Sequence, residues 1–168
     1  MALASAGSVV WFAVTAAVGV VWVPWLITGW RVTYPSSNWR VVQVVGLAVI
    51  GLGLLPIVAT FARFARAGGT PIPGAPTQQL VVAGCNRYVR NPIYLGVLTI
   101  LLGQALVLGQ WPLLAYAAGM WLVAAGFVRV YEEPALTRRF GAQYETYRQA
   151  IPAWWPRLHP WSGPPSDR

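Results

Sequence analysis

The sequence predicts an all-α integral membrane protein with four transmembrane helices, a C-terminal helical hairpin and an amphipathic cytoplasmic tail. Two observations predict this fold class. Of the 168 residues, 57% are hydrophobic and 10% are charged, and the mean hydropathy is +0.53, a balance typical of membrane proteins. The apolar residues also form four runs, each near the length that crosses the hydrocarbon core as a helix.

The four apolar runs predict the transmembrane helices of a single membrane domain that spans residues 1–168. They cover residues 9–27, 41–60, 93–108 and 112–130, and residues 131–168 form the tail. The first run has no basic segment ahead of it, so we interpret it as a retained helix and not as a cleaved signal peptide. We therefore expect a multi-pass protein of the cell membrane.

The distribution of arginine predicts the orientation in the membrane. With four passes, the second loop and the tail share a side, which carries ten arginines against two in the first loop. The positive-inside rule places these ten arginines, and with them the N-terminus, at the cytoplasmic face. A net charge of +8 is also compatible with nucleic-acid binding. Because the charges lie close to the membrane ends, we expect lipid headgroups as partners and no nucleic acid.

Cysteine and histidine each occur once, as Cys85 and His159. A single cysteine excludes an intramolecular disulfide and a cysteine-rich zinc site. A single histidine excludes haem bound by a pair of histidines. We expect no metal, and we assign no role to Cys85, His159 or Arg157. The sequence does not set the number of subunits.

Glycines in the second predicted helix suggest close packing of helices. Gly46, Gly51 and Gly53 are small residues of the kind that let membrane helices approach each other. Residues 51–53 (Gly-Leu-Gly) look like part of a nucleotide-binding fingerprint, but they lack the third glycine and the strand that such a site needs. Residues 67–79 are rich in Gly and Pro and predict a loop.

Two polar segments flank the predicted hairpin. Residues 86–96 contain Arg90 and an Asn-Pro step just ahead of the third helix, where Pro92 suits the first turn. Residues 131–134 (Tyr-Glu-Glu-Pro) follow the fourth helix. Since two passes return the chain to its starting side, Arg90 should meet the two carboxylates at one membrane face.

Glu132 and Glu133 are half of the four acidic residues. They are predicted to lie at the C-terminus of the fourth helix, where a negative charge opposes the helix macrodipole. An unfavourable placement of this kind favours a functional role. The alternative is that the two carboxylates are solvated and balance the positive charge of Arg129 or Arg138.

The tail carries a helical pattern. Apolar and aromatic residues recur on one face at Leu136, Phe140, Tyr144 and Tyr147, and Gly141 is placed to interrupt the helix. Residues 151–161 are rich in Pro and Trp, which predicts an irregular segment along the interface, and residues 162–168 are predicted to be disordered.

Three segments together carry a family resemblance. They are residues 90–96 (Arg-Asn-Pro-Ile-Tyr-Leu-Gly), the Glu-Glu pair at 132–133, and residues 140–147 (Phe-Gly-Ala-Gln-Tyr-Glu-Thr-Tyr). Their order and spacing resemble the isoprenylcysteine carboxyl methyltransferase family and the related membrane phospholipid methyltransferases, over residues 84–157. The prenylcysteine enzymes usually have histidine where this chain has Asn91, whereas the phospholipid enzymes tolerate asparagine there.

The resemblance implies a methyltransferase that uses S-adenosylmethionine at the cytoplasmic side of the hairpin and tail. The implied acceptor is a lipid-like or isoprenoid-type small molecule with a carboxylate or an amine. The implied cofactor-binding residues are Arg90, Asn91, Tyr94, Gly96, Glu132, Glu133, Tyr144, Tyr147 and Arg148, and of these Arg90 and Glu133 are also the expected catalytic pair.

Simpler interpretations exist for several of these residues, and two other functions are open. Arg90 can bind headgroups, Tyr94 can anchor an interface, and Gly96 can serve the packing of helices. The alternatives to a methyltransferase are an NADPH-dependent sterol-type membrane reductase and a non-catalytic membrane binding protein, because a shared fold does not prove an activity.

Overall fold

The structure is a computed structural model that describes residues 14–67, 80 and 82–163, and every regular element in these ranges is helical. The helices are α1 (Val14–Thr28), α2 (Trp39–Ala67), α3 (Pro92–Leu108), α4 (Pro112–Phe127), α5 (Glu133–Phe140) and α6 (Ala142–Ala150). A short 3₁₀ turn, Gly84–Arg87, precedes α3. The all-α prediction is therefore confirmed for this part of the chain. The predicted loop over residues 67–79 lies outside the described residues except for residue 67.

Two helical stretches are long and apolar enough to cross a membrane, Trp39–Thr60 and Pro112–Phe140, whereas α1 and α3 are apolar but shorter. Large apolar side chains cover the outside of the long helices. Leu52 is 61% exposed, Val123 71% and Val130 78%. An apolar exterior of this extent is rare on a soluble monomer, and it suits a protein surrounded by lipid.

Several predicted helix bounds change. Helix α2 begins at Trp39 and continues to Ala67, beyond the predicted end at residue 60. Helix α3 includes Pro92 as its first residue, one position earlier than predicted. The first predicted helix extends to Thr28, and its predicted start at residue 9 lies outside the described residues.

The fourth helix does not end where the sequence predicts. A π-helical turn, Val128–Glu132, joins α4 to α5 in one continuous helix, so the placement of Glu132 and Glu133 at a helix C-terminus is wrong. The first residues of the predicted tail, from residue 131, are therefore helical and continuous with α4. A proline ring normally clashes with the carbonyl four residues earlier, here that of Val130. The wider π turn changes the backbone geometry before Pro134, and the helix continues through it.

Helix α1 uses the same arrangement. Its π turn, Val18–Trp22, lies just before Pro24. Two backbone carbonyls of this turn accept hydrogen bonds from other helices. Tyr116 Oη donates to the Gly19 carbonyl at 2.9 Å, and Gln104 Nε2 donates to the Val20 carbonyl at 2.8 Å. These bonds tie α1 to α4 and α3 and satisfy backbone acceptors that are costly to leave unpaired in lipid.

Helices α2 and α3 make the most extensive helix-to-helix contact, and glycines allow it. A Cβ atom on Gly53 would lie 2.7 Å from the Gly96 carbonyl oxygen, and one on Gly46 would lie 2.8 Å from that of Gly103. The predicted packing role is confirmed for Gly46 and Gly53. It is wrong for Gly51, because a Cβ there would meet nothing within 4 Å.

The predicted hairpin of α3 and α4 is present, with residues 109–111 as its turn. Gly109 makes the turn with φ +67°, a left-handed conformation that favours glycine. The loop after α1 reaches this turn, since the Thr33 amide donates to the Leu108 carbonyl at 2.8 Å and Gln110 Nε2 donates to the Arg31 carbonyl. These contacts define one end of the bundle, and the polar site lies at the other.

Candidate active site

The site is built around an ion pair between the segment before α3 and the start of α5. Arg90 Nη1 donates to Glu133 Oε1 at 2.7 Å and to Tyr144 Oη at 3.2 Å. The Arg90 and Glu133 side chains are only 13% and 18% exposed. Charge-assisted hydrogen bonds this short and this shielded from water hold both groups in place. The two polar segments therefore meet, as the hairpin geometry predicts.

Arg148 of α6 forms the solvent-exposed rim of the site. Its Nη2 lies 3.0 Å from Glu145 Oε1, and its Nη1 lies 3.9 Å from Glu133 Oε2. The Arg148 side chain is 45% exposed, so its longer contact with Glu133 is screened by water. Arg90 is thus the closer and better shielded partner of Glu133.

Two buried polar atoms beside the ion pair have no hydrogen-bond partner among the described residues: Arg90 Nε and Glu132 Oε2. A cavity of about 30 Å³ adjoins them, which is room for about one water molecule. Its walls are Arg90, Asn91, Val128, Glu132, Leu136, Tyr144 and Tyr147. Buried polar groups without partners are costly, so their position at a shared cavity makes this cavity the candidate site.

The tail packs under the site as an aromatic cluster. Tyr144, Tyr147 and Ile151 are buried together, with Leu136 and Phe140 packed against them. The shared face predicted for these side chains is confirmed. Gly141, with φ +54°, separates α5 from α6 as predicted.

Both tyrosines of this cluster remain protonated at neutral pH. Burial raises the pKa of the Tyr144 phenol, although the positive charge of Arg90 opposes this shift. Burial also raises the pKa of Tyr147. The Tyr147 hydroxyl donates to the Asn86 carbonyl at 2.9 Å, which fastens α6 to the segment before α3.

Residues 151–161, which we call the strap, run back along residues 87–91. The Arg90 amide donates to the Pro152 carbonyl at 3.0 Å, and Asn91 Nδ2 donates to the Ala153 carbonyl at 3.2 Å. The Arg157 amide donates to the Tyr88 carbonyl at 2.9 Å. The irregular course predicted for residues 151–161 is confirmed, and the strap fixes the backbone on which Arg90 stands.

A family model for phospholipid methyltransferase matches residues 41–143, which include α2 to α5 and both polar segments. The chain belongs to the phospholipid methyltransferase family. The match ends just before Tyr144, so the second half of the aromatic cluster and the strap lie beyond the matched segment. Neither curated proteins nor solved structures show a significant match to the chain.

The structure brings together most of the site residues expected from the sequence of this family member. Six lie at the cavity or at the ion pair beside it, namely Arg90, Asn91, Glu132, Glu133, Tyr144 and Tyr147. Gly96 faces elsewhere, because a Cβ on it would lie 2.6 Å from the Gly53 carbonyl oxygen of α2. Contact between helices accounts for Gly96, and we leave it out of the proposed site.

Trp154 of the strap was missed by sequence reasoning. Its ring centroid lies 6.3 Å from that of Tyr94 in α3 and 6.2 Å from that of Trp121 in α4. A segment rich in Pro and Trp carries no periodicity, so nothing in the sequence distinguishes Trp154 from its neighbour Trp155. Only the fold shows which of the two faces inward.

A larger open groove of about 520 Å³ lies along α1, away from this site. It is lined by Val14, Ala17, Val18, Val21, Trp22, Trp25 and Trp30. None of these side chains carries a charge, so the groove does not suit a zwitterionic cofactor. Among the described residues no group of His, Cys, Asp and Glu forms a metal site either.

Proposed function

We propose that this chain is an integral membrane methyltransferase that uses S-adenosylmethionine and acts on a lipid-like or isoprenoid-type acceptor bearing a carboxylate or an amine. The observation that carries the proposal is the pair of unpartnered buried atoms, Arg90 Nε and Glu132 Oε2, beside the ion pair of Arg90 and Glu133. S-adenosylmethionine bears an ammonium next to a carboxylate, and a buried carboxylate next to a buried guanidinium complements both. The family match supports the same reaction class.

The residues present fit the cofactor in chemical type. Glu132 would hold the ammonium and Arg90 the carboxylate, while Glu133 keeps Arg90 in position through its 2.7 Å contact. Tyr144 and Tyr147 offer ring surface beside the cavity, and Arg148 lies at its rim. When bound, S-adenosylmethionine supplies a methyl group on a sulfonium sulfur. The protein contributes orientation of the reactants and exclusion of water.

The cofactor requires a wider site than the structure shows. A cavity of about 30 Å³ cannot enclose a nucleoside. Helices α3 and α4 are long and continuous, whereas α6 is short and the strap is irregular. Hydrogen bonds to residues 86–91, the aromatic cluster and the ring contacts of Trp154 hold them in place. We infer that α6 and the strap move outward to admit the cofactor.

The proposed topology has four passes with the site at the cytoplasmic face. At 1.5 Å per residue, α3 spans about 26 Å and α1 about 22 Å over its described part, so both are near the hydrocarbon thickness. The excess of arginine at the end that carries the site supports the orientation. The cofactor then arrives from the cytoplasm and the acceptor from the bilayer.

The two alternative functions predict different ligands. A sterol-type reductase binds NADPH, and a non-catalytic membrane protein needs neither cofactor. The family match favours the methyltransferase. The unpartnered carboxylate Glu132 also disfavours a nucleotide with several phosphates, since like charges repel at close range.

Isothermal titration of the purified protein with S-adenosylmethionine, S-adenosylhomocysteine and NADPH distinguishes these functions. We expect binding of the first two and none of NADPH, together with methyl transfer to lysophosphatidylserine, whose headgroup bears both an amine and a carboxylate. The variant Arg129→Gln, at an exposed position that does not line the cavity, serves as a control and should behave as wild type. Binding of NADPH alone, or of no nucleotide, would contradict the proposal.

A further inference from the structure

The strap packs two of its tryptophans against the helices, Trp154 against the hairpin and Trp161 against Tyr147, and leaves Trp155 exposed. Trp154 is partly buried, whereas Trp155 is 79% exposed and Leu158 is 92% exposed. The strap thus presents a single indole ring to the helices at this point.

That ring touches both helices of the hairpin. It meets Tyr94 of α3 at an interplanar angle of 47° and Trp121 of α4 at 73°, both within the range of favourable aromatic contacts. Trp121 lies 12 residues before Glu133, a distance of about 18 Å along the helix axis. Trp154 therefore reaches from the level of the ion pair toward the part of α4 that lies among lipids.

The same ring is coupled to the polar site through its neighbours in the chain. The carbonyls of Pro152 and Ala153, directly before Trp154, accept from the Arg90 amide and from Asn91 Nδ2. On the other side, Tyr94 lies in the first turn of α3, three residues after Asn91. Trp154 is therefore fixed relative to Arg90, and its ring packs against Tyr94 of α3.

We propose that Trp154 is a specificity-determining residue that closes the bilayer-facing side of the site between α3 and α4 and limits the width of the acceptor. The inference rests on the proposed function, in which a lipid-like acceptor arrives from the bilayer. An acceptor with one chain passes beside the indole ring. An acceptor with two chains on the same headgroup must displace the ring from both of its aromatic partners.

The test compares lysophosphatidylserine with phosphatidylserine, which share a headgroup and differ in carrying one or two acyl chains. Methyl transfer to each is measured in the same detergent micelles for wild type, Trp154→Ala, Trp154→Phe and the exposed control Trp155→Ala. We expect Trp154→Ala to raise the ratio of kcat/KM for the two-chain over the one-chain acceptor at least fivefold. Trp155→Ala should leave the ratio within twofold of wild type.

The affinity for S-adenosylmethionine, measured by titration, should stay within about threefold in Trp155→Ala, because this indole is exposed and does not line the cavity. If Trp154→Ala does not fold, Trp154→Phe tests the proposal, and it should raise the ratio of kcat/KM for the two-chain over the one-chain acceptor at least twofold. Three results would overturn the assignment of Trp154 while leaving the proposed function intact. These are a smaller change in the ratio, the same change in Trp155→Ala, and an equal loss of kcat/KM for both acceptors. Wild type that methylates neither acceptor would instead overturn the proposed acceptor class and the role of Trp154 with it.

Discussion

Arg90 and Glu133 are 43 residues apart in the sequence, and their side chains meet at 2.7 Å. The contact joins the segment before α3 to the first residue of α5, across the whole length of the hairpin. Because both side chains are largely shielded from water, removing one leaves the other charge without its main partner, which is costly. The two residues therefore act as one unit, and their loss should be strongly non-additive.

The first prediction follows from this pair. Arg90→Ala and Glu133→Ala should each lower the methylation rate at least about tenfold, a barrier change of about 1.4 kcal/mol. The double variant should lose much less than the product of the two single losses, because the second change removes a group that is already misplaced. Rates of the two single variants, the double variant and the exposed control Arg129→Ala are compared under saturating cofactor. Independent losses, or normal turnover in either single variant, would show that the pair does not support catalysis.

The second prediction concerns Glu132, whose Oε2 atom is buried without a partner. Glu132→Gln should weaken binding of S-adenosylmethionine by roughly 1–3 kcal/mol, the scale of losing a hydrogen bond to a charged group. The thermal stability of the protein without cofactor should not fall, because the change removes a buried negative charge whose Oε2 atom has no hydrogen-bond partner. Titration and thermal unfolding are measured beside the exposed control Arg129→Gln. Unchanged affinity in Glu132→Gln would remove Glu132 from the cofactor site.

The third prediction tests the close approach of α2 and α3. Gly53→Ala should destabilise the protein by about 1–3 kcal/mol, because a Cβ there would lie 2.7 Å from the Gly96 carbonyl oxygen and the backbone must shift. Gly51→Ala in the same helix is the matched control, since its Cβ meets nothing within 4 Å. Denaturation in detergent compares the two. Equal stability of both variants would contradict the glycine-mediated contact.

The fourth prediction concerns the proposed topology. In a Cys85→Ser background, a cysteine at the exposed Ser36 should react with an impermeant maleimide from outside intact cells, and one at Gln143 should not. The physical reason is the positive-inside rule applied to the arginine-rich end of the bundle. Permeabilised cells, in which both should react, supply the control. The reverse labelling pattern would place the site on the outer face.

Much of the architecture follows from local features of the chain. The apolar runs predict helices because lipid leaves the backbone no other hydrogen-bond partners, and the short turn at residues 109–111 makes α3 and α4 neighbours. From these two facts the meeting of Arg90 with the Glu132 and Glu133 pair could be predicted. The motifs predicted the group formed by the isoprenylcysteine carboxyl methyltransferases and the membrane phospholipid methyltransferases, and the match to phospholipid methyltransferase confirms this prediction.

What the sequence by itself determined, then, is the helical class, the family and the end of the bundle at which the polar groups collect. Only the tertiary structure decided that Arg90 contacts Glu133 directly, that Glu132 keeps an unpartnered oxygen, and that Gly96 serves the packing of helices. It also decided that a π turn carries the helix through Pro134 and that Trp154, not Trp155, faces inward. The physical reason is that periodicity reports the average face of a regular helix. A π turn shifts that face by a fraction of a turn, and an irregular strap has no periodicity. The helix face after the π turn and the orientation of Trp154 are therefore set by contacts between residues far apart in the chain.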